Sequence, residues 1–174
     1  MSRLRRWVSA ADDVAAKAED GFLAIVHGAI CVLVVAGVVL RYWFNDPLTW
    51  GEELIVGLFT WLVFIGAAAA IRTHMHIRID VMAPVFAHPR MAWLGVLTVA
   101  VGFAILGVMI WASVEQLLQE AVVETPMLGV SKAWFVGAMF VGLVLMVLHA
   151  GRLLLDGGAA TVFRGETETI VDAE

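Results

Sequence analysis

Residues 22–40 read FLAIVHGAICVLVVAGVVL. A helix in a soluble bundle alternates apolar and polar faces, and this run has no polar face to turn to water. At a 1.5 Å rise it reaches roughly 30 Å, the thickness of a bilayer's hydrocarbon core. Three further apolar stretches follow at about 54–71, 91–113 and 132–149. With the first, taken as about 21–40, they enclose only His27, Cys31, Lys132 and His149 as titratable side chains. Hydrophobic residues make up 61% of the 174 residues, where soluble domains hold roughly 45–50%. The expected fold is an all-α integral membrane protein with four transmembrane helices. Its spans are expected at about 21–40, 52–71, 91–113 and 132–152, within a membrane domain covering 21–156.

Nine of the eleven Lys and Arg residues fall on one side of these spans: Arg3, Arg5, Arg6, Lys17, Arg72, Arg78, Arg90, Arg152 and Arg164. Only Arg41 and Lys132 fall on the other. The positive-inside rule therefore puts both termini and the middle loop in the cytoplasm. Ahead of the first span, Trp7, Ala11, Val14, Ala15, Ala18 and Phe22 share one helical face, and Asp12, Asp13, Lys17 and Glu19 take the other. Residues 1–20 are expected to form a short amphipathic helix lying at the cytoplasmic interface, with its Arg cluster near anionic lipid head groups. No cleavable signal is read there. Residues 157–174 are acidic and expected to be disordered.

Between the first two spans, Asn45-Asp46-Pro47 reads as a turn. Thr49-Trp50-Gly51-Glu52 fits a capping box, so the second helix is expected to start at Thr49. Glu52 and Glu53 then lie in a first turn where the helix dipole favours negative charge. Six of the seven Trp residues sit near span ends, as an aromatic belt does. Trp61 is the exception, at mid-depth, and is expected to pack on a neighbouring helix or lipid. Thr125-Pro126 turns the chain back, and Ser131 is placed to cap the fourth helix. Small residues at helical spacing (Ala24 and Gly28, Gly66 and Ala70, Gly95, Thr98 and Gly102, Ala138 and Gly142) suit close helix packing in lipid.

Several chemistries find little support. The single cysteine excludes an internal disulfide, and no basic patch interleaved with aromatics suggests nucleic acid. P-loop, dinucleotide and HExxH motifs are absent. His74-x-His76 has a zinc-like spacing, but only Asp80 or His88 is at hand as a third ligand. Ser131 and His149 sit at opposite ends of one helix, too far apart for proton transfer. His27 and His149 lie toward the same side of their helices, which leaves a four-helix membrane haem or electron-transfer protein as the alternative reading. No Asp, Glu, Lys or Arg lies at mid-depth and no proline interrupts a span. A complete transporter usually shows one or the other, so the chain reads as a helper subunit with no enzymatic role and no cofactor.

One run is distinctive: Arg41-Tyr42-Trp43-Phe44-Asn45, then Pro47-Leu48-Thr49-Trp50-Gly51-Glu52-Glu53-Leu54. Trp61, Phe64-Ile65-Gly66-Ala67, Arg72 and His76-Ile77-Arg78-Ile79-Asp80 follow it, with Thr125-Pro126 and Leu145-Met146 late in the chain. In this order the chain resembles the small four-helix membrane subunit of tripartite ATP-independent periplasmic (TRAP) transporters, the DctQ-like family, over roughly residues 15–155. The resemblance implies a small permease in the bacterial inner membrane, bound to a large membrane subunit that carries solute and Na⁺. It also implies a periplasmic solute-binding protein that delivers an organic acid. Partner-subunit or interface roles are expected for Arg41, Trp50, Glu52, Glu53, Trp61, Arg72, His76, Arg78 and Asp80. Glu115, Glu120 and Glu124 are candidate contacts for the binding protein, with a merely solvated face as the alternative.

Overall fold

The computed structural model describes residues 3–72 and 92–157. Four helices follow one another: α1 (Arg3–Trp43), α2 (Thr49–Arg72), α3 (Ala92–Glu120) and α4 (Ala133–Gly157). Each contains a segment long and apolar enough to cross a membrane: Ala11–Trp43, Thr49–Arg72, Val96–Glu120 and Ala133–Leu155. Among the described residues the extended pairing is one isolated bridge, Glu124 to Ser131, in the turn between α3 and α4.

The helices do not share the core equally. α2 and α4 pack most extensively on one another, α1 lies against α2 and touches α4, and α3 leans chiefly on α4. Small residues explain the central contact. A Cβ at Gly142 would sit 2.7 Å from the Phe64 carbonyl oxygen, so the α2 and α4 backbones meet there. Trp134 lies flush on Gly57, where a Cβ would be 2.1 Å from the indole. Ala68 and Ala138 are fully buried beside these positions. Lipid tails are as apolar as leucine, so this close packing, rather than a hydrophobic drive, holds two spans together. The expected small-residue packing thus applies to α2 and α4. Gly28 on α1 and Gly102 on α3 face open space.

α1 departs from expectation in one respect. No separate interfacial helix precedes the first span, because the chain runs as one helix from Arg3 to Trp43. At 1.5 Å per residue it is about 60 Å long, roughly twice the hydrocarbon thickness. Asp12, Ala16, Glu19 and Val26 are buried, while Val14 and Ile25 face outward. Asp12 and Glu19 are thus turned into the bundle together with Ala16 and Val26, while Asp13, Lys17 and Asp20 stay exposed. The cause is a set of partners on α2 and α4.

Candidate functional site

An even number of helices returns both termini to one end of the bundle, and there the charges of three helices meet. We call this the terminal end. His149 of α4 is 1% exposed and stands between two carboxylates of α1. Its Nδ1 lies 2.5 Å from Asp12 Oδ1 and its Nε2 2.7 Å from Glu19 Oε1. Asp12 and Glu19 are themselves 1% and 3% exposed. A neutral imidazole has one N–H, whereas both ring nitrogens here face carboxylate oxygens.

Two arginines close the cluster. Arg152, one turn beyond His149, donates to Asp12 and, at 2.6 Å, to Asp13. Arg72, the last residue of α2, donates to Asp20 at 2.6 Å. Its Nε lies 4.0 Å from Glu19 Oε2, a charge contact rather than a hydrogen bond. The helical register makes this possible. Asp12 and Glu19 are seven residues apart, two turns, and so point to the same side of α1. His149 and Arg152 are three apart and share a face of α4.

The opposite end holds the turns between α1 and α2 and between α3 and α4; we call it the hairpin end. Arg41 and Glu52 form an ion pair of 2.8 Å, with side chains 56% and 74% exposed. α2 begins at Thr49 as the sequence suggests, with Glu52 turned to Arg41. Asn45, in the turn, takes a positive φ of 51°, which Asn tolerates better than most residues. Glu53 reaches the other hairpin: its Oε2 accepts the backbone N–H groups of Met127 at 3.1 Å and Leu128 at 2.7 Å. That turn is closed from within by Thr125 N–H to Val130 O at 2.8 Å, Lys132 N–H to Val123 O at 2.8 Å, and Gly129 at φ +63°. The Ser131 hydroxyl donates to Ala121 O at 2.9 Å and accepts the Ala133 N–H at 3.2 Å, capping α4.

Between the two ends the contacts are aromatic. Trp61 meets Phe22 of α1 edge-on, with centroids 5.9 Å apart, and Trp134 of α4 at 6.4 Å. It joins three helices at mid-depth and does not face lipid alone.

The sequence-predicted residues are thus distributed over both ends. Arg41, Glu52 and Glu53 hold the hairpin end together, Arg72 belongs to the terminal cluster, and Trp61 is an interhelical contact. Trp50 is partly exposed in the first turn of α2. Glu115 and Glu124 are exposed and Glu120 is partly covered. His76, Arg78 and Asp80, with the His74-x-His76 pair and His88, lie outside the described residues, as does the acidic tail beyond Gly157. The haem reading loses its geometry: both nitrogens of His149 are engaged by carboxylates, and His27 is exposed on α1. Sequence reasoning missed Asp12 and Glu19 as partners of His149. The available signal was their two-turn spacing on a helix continuous with a span.

Comparison with known proteins gives a consistent picture. A family-wide profile described as the DctQ component of tripartite ATP-independent periplasmic transporters matches residues 30–157. The chain is 36% identical over 76 residues to the C4-dicarboxylate TRAP transporter small permease protein DctQ of Vibrio cholerae, covering 44% of this chain and 33% of that one. It is 31% identical over 112 residues to the sialic acid TRAP transporter small permease protein SiaQ of the same organism, covering 63% of each. It is 31% identical over 70 residues to the DctQ protein of Pseudomonas aeruginosa, covering 40% and 33%. The matched part spans about a third of the two DctQ relatives.

Proposed function

The chain belongs to the DctQ component family of TRAP transporters, a family of inner-membrane transporter subunits and not of enzymes, and we propose that it serves as the scaffold half of a two-part permease. In this reading it binds the large membrane subunit, which carries solute and Na⁺ through the bilayer. A periplasmic binding protein delivers the solute. The carrying observation is where the charges are: the central part of every span is free of Asp, Glu, Lys and Arg. The charged pairs described at the two ends join this chain's own helices to one another. A solute or ion path needs polar groups at mid-depth, and that demand falls on a partner. The relatives' names mention C4-dicarboxylate and sialic acid, both carboxylates. An organic acid is therefore the proposed solute class.

Nine of the eleven basic residues support a cytoplasmic terminal end. The hairpin end, with Glu115, Glu120 and Glu124, then faces the periplasm, where the binding protein would approach. The scaffold reading is tested by reconstitution. Vesicles holding this chain, the large subunit and the binding protein should accumulate solute under a Na⁺ gradient, and vesicles holding this chain with the binding protein alone should not. Uptake in the second case overturns it. Cysteine labelling at Glu124 and at Lys17 from either side of intact cells tests the orientation.

A further inference from the structure

Near the hairpin end a cavity of about 240 Å³ lies between α1 and α2, walled by Leu33, Val34, Val38 and Ile55, with Arg41 and Glu52 at the end nearer the helix termini. It is smaller than the ~300–1,000 Å³ pockets that enclose compact ligands. Its walls suit a single hydrocarbon chain. Val34 and Val38 are exposed, so the groove opens on the outside of the bundle. Trp43 and Trp50 are exposed at the same level as Arg41 and Glu52, the level at which aromatic side chains meet lipid head groups.

We propose that this groove is a binding site for one phospholipid, phosphatidylethanolamine, whose head group carries a primary ammonium beside its phosphodiester and no carboxylate to repel Glu52. Seating an acyl chain among Leu and Val side chains gains little over leaving it among other lipid tails, so the head group must supply the selectivity. Among the described residues, the 2.8 Å pair joins only Nη2 of Arg41 to Oε1 of Glu52. A guanidinium has five N–H donors and a carboxylate two acceptor oxygens. The remaining Arg41 donors match a phosphodiester and Glu52 Oε2 matches an ammonium, so the head group adds to the existing pair without breaking it. Phosphatidylcholine has no N–H to offer Glu52. Phosphatidylglycerol has no cation.

Native mass spectrometry on the full-length chain, titrated with each of the three lipids, tests the assignment. Phosphatidylethanolamine should be retained up to about fivefold better than the other two, the size of one exposed charge pair. Glu52→Gln should remove that preference, and Arg41→Ala should weaken retention of all three. A Cβ on Gly37, which lines the groove, meets nothing within 4 Å. Gly37→Leu should therefore fill the groove and abolish retention without lowering the melting temperature. Equal retention of the three lipids, or retention unchanged in Gly37→Leu, overturns the proposal. Independently of how that variant folds, benzoylphenylalanine in place of Val38 should photocrosslink to phosphatidylethanolamine in native membranes. Crosslinking to a polypeptide instead assigns the groove to a protein partner and overturns the lipid site.

Discussion

The two ends of this bundle use the same residue types under opposite conditions. At the terminal end, Asp12, Glu19 and His149 are almost completely withdrawn from solvent and are tied by Arg152 and Arg72. At the hairpin end, Arg41 and Glu52 pair in the open, and Glu53 holds backbone N–H groups. An exposed pair is worth about 0–1 kcal/mol, because water already solvates both partners. Removing one member of a buried pair costs about 3–5 kcal/mol, because the other is left uncompensated. Bond lengths are similar at both ends, so burial, and not distance, sets what each contact contributes.

The comparison can be broken most forcefully at His149. His149→Ala leaves Glu19 buried with only the long Arg72 contact, and Asp12 buried with Arg152 as its one remaining partner in the cluster. It should destabilise the protein by about 3–5 kcal/mol, read as a lowered thermal midpoint in detergent. Restoring stability with the double replacement Asp12→Asn and Glu19→Gln would show that the loss comes from the stranded carboxylates; a midpoint unmoved by His149→Ala would remove the terminal end's special standing. Arg72→Ala should cost less, about 1–3 kcal/mol, since its shorter contact is to the exposed Asp20 and its contact to Glu19 is long. Glu53→Leu should cost about 1 kcal/mol, chiefly by orphaning the part-buried Leu128 N–H group, since water can reach the exposed Met127 N–H. Its signature is local: faster amide exchange at 125–131 with the terminal end unchanged. Arg41→Ala should have the smallest effect, under about 1 kcal/mol. That effect should shrink as salt is raised, since salt screens exposed pairs. The His149→Ala effect should not.

The same contrast explains what could be read from the sequence. The four spans followed from run length and hydropathy, and the start of α2 at Thr49 and the Ser131 cap followed from local hydrogen-bonding chemistry. Each depends on neighbours in the chain. The terminal cluster depends on groups far apart in sequence, with His149 137 residues from Asp12. The alternation of Ala11, Val14 and Ala18 with Asp12, Asp13 and Glu19 marks two faces on a helix, but periodicity carries no sign. Reading residues 1–20 as a helix at the membrane interface did not anticipate one continuous helix over Arg3–Trp43 with Asp12 and Glu19 turned inward. The lone mid-depth Trp61 carried a weaker hint, an aromatic away from the belt, and its neighbours Phe22 and Trp134 became visible only once the helices were placed.

Spans enter a membrane in the order of synthesis, and that gives the seating of His149 a temporal meaning. When α1 emerges, the imidazole that will separate two of its four acidic groups, Asp12 and Glu19, has not been made. At roughly 5–20 residues per second, the intervening 137 residues take on the order of ten seconds. Arg72 is made early enough to reach Asp20 and Glu19, but Asp12 waits for His149 and Arg152. α4 therefore closes the cluster last: Asp12 gains both of its partners, His149 and Arg152, only when that helix is in place.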